Sequence, residues 1–302
     1  MNNDILYSIV HSKDFINKWK IVLDKVYKYE SYMDYIIVPS LSGKKTLSYM
    51  PFLNFTNRLN TEVSDLLELG KDNDYQIRVL NPNYVDFKMD DPVDMRVDIS
   101  LGDSEKIFNQ QLHQNCRRKV RQSIKRNNFE VVSGKDETFI NDFYPIFSKV
   151  MHNHGTPVNK KEFFQEIIKE MDAHVFVYKL DNKPIAASII LFDNDIAELY
   201  WNVIDNDFSK TQIGYFSFWN SMQYVINERN CKIFDFGRSS FGGATYKFKK
   251  QWGAEAIKID ILKSNQENIY NKYKFAANVW KRLPRRITEL IGPKLCKYLV
   301  DL

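Results

Sequence analysis

Residues 174–204 read HVFVYKLDNKPIAASIILFDNDIAELYWNVI, and the runs HVFVYKL, KPIAASIILFD and DIAELYWNVI within them predict three successive antiparallel strands. Upstream, FEVV at 129–132 reads as a strand, and TFINDFYPIFSKVM and KKEFFQEIIKEM read as helices on their apolar spacing. Downstream, TQIGYFSFWNSMQYVINER predicts a helix leading into a strand at CKIFDF. The first half has a similar rhythm. DFINKWKIVLDKVY sets Phe15, Trp19, Val22, Leu23 and Val26 at helical spacing after a short apolar run at Ile5 to Val10. SYMDYIIVPS and KTLSYM predict strands parted by a turn at Ser42-Gly43-Lys44, YQIRVLN and DMRVDISL two more, with a helix at Thr61 to Leu69 between the pairs. The run from Ser104 to Asn128 repeats Phe108, Leu112, Cys116, Val120 and Ile124 at every fourth position and predicts one long helix, N-capped by Ser104. An α/β fold follows.

A chain of 302 residues with 44% hydrophobic content can bury one large core or two ordinary ones. The net charge of +5 hints at anionic ligands. Cys116, Cys231 and Cys296 lie too far apart for a disulfide framework or zinc ribbon, which suits a reducing compartment. His152-Asn153-His154 and His113 with Cys116 lack the further ligands a metal site needs, so no metal is expected. Met1 to Ile9 carries Asp4 and no long apolar run, and no later stretch approaches a membrane span; the expectation is a soluble, cytoplasmic protein.

The chemistry concentrates in FDFGRSSFGGATYKFKKQWG, residues 234–253. Neither a Walker A loop nor a Gly-x-Gly-x-x-Gly run is present. What remains is a glycine-rich turn after a strand end, where open α/β sheets bind ligands, with Arg238 and then Lys247, Lys249 and Lys250 to hold phosphate. Read as extended chain, Tyr246, Phe248, Lys250 and Trp252 share one face and Lys247 and Lys249 the other, so rings and cations would bracket a base or sugar and its phosphate. The same spacing also fits a half-buried strand with aromatics in the core and lysines in water.

The order of one strand, two helices, three antiparallel strands, helix and strand resembles that of a GNAT acyltransferase domain. YKFKKQWG, preceded by FDFGRS, with SLSGKKTLSYMPFLNF at 40–55 and HGTPVNKKEFF at 154–164, resembles the motifs of the Fem aminoacyltransferases and their FemAB-like relatives in exopolysaccharide and cell-envelope gene clusters. The resemblance implies two tandem GNAT-like domains with mixed, mostly antiparallel sheets flanked by helices, here 1–127 and 128–302. It implies transfer of an acyl or aminoacyl group to an amine of a cell-envelope or polysaccharide precursor, with acyl-CoA or aminoacyl-tRNA as co-substrate and no bound cofactor. Matched by position, Phe248 supplies a stacking face and Lys249 stabilises developing negative charge. Glu198 falls where GNAT enzymes keep a general base, with Tyr200 and Trp201 lining the acceptor cleft and Thr156 bordering it. The coiled-coil arm of some tRNA-using members has no counterpart, and of the pyrophosphate loop of acetyl-CoA enzymes only Gly214 is present, so the donor stays open between the two.

Arg118, Arg121 and Lys125 on the basic helix suit a nucleotide diphosphate or a tRNA backbone, with Arg121 the leading candidate; a solvated helix face is the alternative. The tail VWKRLPRRITELIGPKLCKYLV interleaves apolar residues with cations, which suits docking on the second domain or contact with an anionic membrane surface beside a lipid-linked acceptor. The reading that competes with an enzyme is a non-catalytic binding module for a phosphorylated sugar or RNA.

Overall fold

The computed structural model describes residue 6 and residues 11–32, 35–40, 45–55, 74–264 and 269–299. The expectations for residues 5 and 7–10, the turn at 42–44 and the helix at 61–69 lie outside the described residues. Helix α1 (Lys13–Tyr27) starts where Ser12 Oγ accepts a hydrogen bond from Phe15 N at 3.1 Å, and buries the predicted stripe of Phe15, Trp19, Val22 and Leu23. Strands β1 (Glu30–Tyr32), β2 (Tyr35–Pro39), β3 (Lys45–Ser48), β4 (Asp74–Asn81) and β5 (Pro92–Asp98) follow, then α2 (Ser104–Gln110) and α3 (Gln114–Arg126). The second half runs β6 (Glu130–Gly134), α4 (Ile140–His154), α5 (Lys161–Glu170), β7 (Ala173–Leu180), β8 (Lys183–Asp193) and β9 (Ile196–Ile204). It continues through α6 (Ile213–Tyr224), β10 (Ile233–Ser240), α7 (Ala244–Lys250), β11 (Glu255–Lys263), α8 (Ile269–Arg282) and α9 (Arg285–Cys296).

All these strands join one sheet in the order β1-β2-β3-β4-β11-β5-β10-β9-β8-β7-β6. The pairs β3–β4 and β9–β10 are parallel and the rest antiparallel, so the fold is α/β with a mixed, mostly antiparallel sheet flanked by helices. β11 is inserted between β4 and β5, and β10 pairs with β5, which stitches the two halves of the chain together. One face of the sheet carries a core shared by α1, α4 and α5, and the other a core shared by α2, α3, α6 and Trp252.

The structure corrects the sequence at two places that matter for the site. Residues 104–128 form two helices, broken at 111–113. His113 N donates to Gln251 O at 2.8 Å, and His113 Nδ1 accepts from Asn115 N and caps α3. The buried stripe becomes Ile107, Leu112, Cys116, Val120 and Ser123, and Ile124 is left 52% exposed. Residues 244–250, laid out above as extended chain, are helix α7. The shared-face picture of Tyr246, Phe248, Lys250 and Trp252 therefore falls.

Candidate active site

The site is built where the central sheet comes apart. β9 and β10 pair only over Ala197, Glu198 and Ile196 against Phe234, Asp235 and Ile233. Beyond that, β10 follows β5 and β9 follows β8, so a wedge opens between residues 199–204 and 236–240. Both strands are irregular at its apex. β10 bulges between Asp235 and Arg238, and β9 carries an extra residue at Tyr200, between Leu199 opposite Ile190 and Trp201 opposite Ile189. Gly237 makes the first bulge possible: its φ is +70°, and a Cβ there would lie 2.9 Å from Asn54 Nδ2. That close approach lets Asn54 Nδ2 donate to Glu198 Oε1 at 2.6 Å.

A cross-strand row of charge lies under the apex. Arg96 is opposite Asp235 on β10, and Asp235 is opposite Glu198 on β9. Arg96 is fully buried; its Nε donates to Asp94 Oδ2 at 2.8 Å and to Asp235 Oδ2 at 3.1 Å, and its Nη1 to Leu6 O at 3.0 Å. Burial, with Asp94 beside it, holds the Asp235 carboxyl well above the usual range. Burial likewise raises Glu198, opposed by His11, and the nearby Asp94 adds to the rise. A carboxyl held up in this way takes a proton more readily near neutral pH than an exposed one, as a general base requires.

Lys249 reaches the apex from α7. Its side chain is 6% exposed, and Nζ donates to Gly237 O at 2.9 Å and Arg238 O at 2.8 Å. Burial lowers its pKa to about 8, with Asp94 and Asp235 opposing the fall. Two of the three N–H donors are thus spent on the bulge. By register, Glu198 and Tyr200 lie on the α1 face of the sheet, with Tyr200 5.4 Å from the Trp19 ring. Asn202 and Ser239 lie on the other, where Asn202 Oδ1 accepts from Ser188 Oγ and Ser217 Oγ. Glu198 Oε2, Tyr200 Oη, Asn202 Nδ2 and Ser239 Oγ are buried with no hydrogen-bond partner among the described residues. Four such atoms gather on the two diverging strands, where buried polar atoms are ordinarily paired.

Of the candidates read from sequence, Glu198, Tyr200, Arg238 and Lys249 gather at the wedge. Trp252 is 0% exposed and belongs to the core beside Phe218 and Phe236, so it is no stacking platform. Phe248 is half-buried in the same aromatic group, 5.2 Å from Tyr215 and 5.0 Å from Phe218. Tyr246 packs on Phe241, and Lys250 points to solvent. Trp201 sits 4.9 Å from Phe164 and 6.0 Å from Phe163. Thr156 follows the C-cap of α4, its N–H donating to Met151 O. Arg121 lines a groove of about 620 Å³ on the outer face of α3 with Arg117, Arg118, Gln122 and Lys125. Its guanidinium lies 5.1 Å over the Phe108 ring. Asn54, Asp94, Arg96 and His11 were not singled out from sequence. The hint was in PVDMRVD, where charge alternates with apolar residues in a strand that must cross the middle of the fold.

Residues 110–250 match the acetyltransferase (GNAT) domain family model, a span that includes the wedge strands and Lys249. Over most of its length the fold is similar to that of FemX: the crystal structure of FemX is 14% identical, with a TM-score of 0.57 over 88% of this chain and 94% of that one. L-PGS from Bacillus licheniformis is 10% identical, with a TM-score of 0.54 over 88% and 97%. The C-terminal domain of a putative lysylphosphatidylglycerol synthetase from Agrobacterium fabrum is 13% identical, with a TM-score of 0.50 over 88% and 94%. No curated protein matches the chain by sequence.

Proposed function

We propose that the chain is an N-acyltransferase of the FemAB type, built from two GNAT-like units (1–127 and 128–302), that moves an acyl or aminoacyl group to an amine of a cell-envelope or polysaccharide precursor. The observation that carries this is the wedge, whose apex has the buried Glu198 carboxyl on β9, the buried Lys249 ammonium on the carbonyls of β10 and the extra residue of a bulge. The amine nitrogen attacks the donor carbonyl, a thioester of CoA or the ester of an aminoacyl-tRNA. Glu198 takes the proton the amine loses, and CoA or the tRNA 3′-hydroxyl leaves. Lys249 and the Tyr200 amide, freed from its strand partner by the bulge, face the oxyanion. Donor phosphates would rest on the α3 groove at Arg118, Arg121 and Lys125, next to α6, where Lys119 Nζ donates to Tyr215 Oη at 3.0 Å. A calorimetric titration with acetyl-CoA, longer acyl-CoAs, aminoacyl-tRNA and UDP-amino sugars tests this. One donor class binds, and Arg121→Ala weakens it roughly tenfold. Binding untouched by Arg121→Ala would remove the groove from the account.

The tail suits an acceptor at a membrane. Among the described residues no helix is long and apolar enough to cross one. On α8 and α9, however, Val279 (45%), Ile287 (45%) and Leu290 (68%) are exposed beside Lys281, Arg282, Arg286 and Lys294, while Glu289 is engaged by Ser148 and Arg285. A neighbour named for an aminoacylated lipid, lysylphosphatidylglycerol, agrees with such an acceptor. In flotation assays the protein is expected to bind phosphatidylglycerol vesicles at low salt. Arg282→Glu with Arg286→Glu releases it, and equal binding to neutral vesicles would contradict the idea.

A further inference from the structure

His11 precedes α1, far in sequence from the strands that form the wedge, yet it is 3% exposed and lies against the wedge's carboxylate. Its imidazole is clamped between two rings. Phe15 stacks on one side at 4.2 Å with planes 2° apart, and Phe55 on the other at 5.0 Å with planes 5° apart. Phe55 is in turn covered by the Arg96 guanidinium at 4.8 Å, and Phe15 stacks on Trp19 at 6.4 Å. The column fixes the plane of the imidazole, so its two nitrogens point along set directions. Nε2 faces Glu198 Oε2 at 3.7 Å and Nδ1 faces Asp193 Oδ2 at 3.6 Å. Asp193 is held in place by Ser12, whose N–H donates to Oδ2 at 2.6 Å. Glu198 Oε1 is taken by Asn54, so Oε2 is the oxygen left to exchange a proton, and it is the one His11 faces.

We infer that His11 is a positioning residue for Glu198, set by the ring column as the charge partner of Oε2 in an Asp193–His11–Glu198 line. The inference rests on the acyltransferase reading for its purpose but on the geometry for its existence. A carboxylate, an imidazole and a second carboxylate in line resemble, in chemical logic, the way a base is oriented by a third group in nucleophile–base pairs. Here the imidazole stands between the carboxylates at 3.6 and 3.7 Å, beyond hydrogen-bond length, so it acts on Glu198 Oε2 through charge and not by direct proton exchange. The remaining charged or titratable groups around Glu198 are Asp94 and Arg96 of β5, Asp235 of β10 and Tyr200 of β9, with Arg78 and Arg238 acting on Tyr200. Of the groups acting on Glu198, His11 is the largest that favours its ionised form.

The test uses the full chain and two readouts. In infrared titrations, the carboxylic-acid band that disappears in Glu198→Gln is expected to persist to higher pH in His11→Gln, because the partner that favours the carboxylate is gone. In turnover, His11→Gln is expected to lose about tenfold or more in kcat with KM nearly unchanged, and its acidic limb moves up in pH. His11→Asn, which keeps a donor but shortens the reach, does not restore the wild-type limb. A Glu198 band that titrates identically in wild type and His11→Gln overturns the inference, as does a His11→Gln enzyme with the wild-type rate and profile. Should the wild type turn over no donor at all, the acyltransferase reading fails on its own, and the infrared titration still decides whether the line exists.

Discussion

Replacing Lys249 by methionine is expected to lower kcat by about 100- to 1,000-fold while the donor still binds, the loss typical of one removed oxyanion donor. Methionine keeps the length and apolar stem of the lysine but not its three N–H donors. The chain should still fold, because a buried ammonium is costly and its removal offsets part of the loss of two hydrogen bonds to Gly237 O and Arg238 O. Lys249→Arg is not expected to rescue turnover, since a side chain 6% exposed leaves no room for a larger head group. The pH dependence carries a sign. Burial lowers the Lys249 pKa to about 8, so the ammonium is present below that pH and lost above it. An enzyme that uses the cation loses activity as pH rises through about 8. Glu198, raised by burial, must be ionised to accept a proton, so activity is also lost on the acid side, at a midpoint above the usual glutamate range. The bell belongs to the coupled group as a whole. Its alkaline limb should vanish in Lys249→Met, where the residual rate is followed; a limb that stays would assign it elsewhere.

The second large effect concerns stability. Arg96→Met strips the buried Asp94 and Asp235 of their cation and leaves Leu6 O without its donor. Removing one partner from a buried ionic group costs about 3–5 kcal/mol, against a total stability of about 5–15 kcal/mol for a typical domain. Urea unfolding at constant slope should show that loss. Adding Asp94→Asn and Asp235→Asn to Arg96→Met should recover much of it, because the penalty comes from stranded charge and not from volume. A triple variant as unstable as the single one would show that shape, and not charge, is what Arg96 supplies.

The order of strands and helices was legible because long runs such as KPIAASIILFD and DFINKWKIVLDKVY obey one period each. The seven residues of α7 were not: an alternation of aromatic and lysine over so short a span fits a strand as well as a helix. What chooses the helix is tertiary, since α7 must turn Lys249 onto the carbonyls of β10 while Trp252 fills the core. The break at Gln111–His113 is likewise set from outside, by Gln251 O taking the His113 amide. β11 left its trace in the alternation of Ile257, Ile259 and Ile261, yet its place between β4 and β5 is a matter of topology that no local pattern states. Lys249 stood out as one cation of the glycine-rich turn, while its catalytic role and that of Glu198 came only through the family resemblance. Arg96 left only the charge alternation of PVDMRVD, and His11 and Asn54 left no trace, because a lone histidine or asparagine shows its worth only when the fold buries it beside a carboxylate.

The central claim is that acyl transfer to an amine occurs at the wedge. Its most direct test incubates the purified chain with each candidate donor and a panel of amino-sugar and lipid-linked amines, and follows the N-acyl product by mass spectrometry beside Glu198→Gln and Lys249→Met. The account predicts product from one donor class in the wild type, with loss of about 100-fold or more in both variants and donor binding retained. Tight donor or sugar binding with no product from any pair, or product formed equally well by both variants, would contradict it and favour a module that only binds.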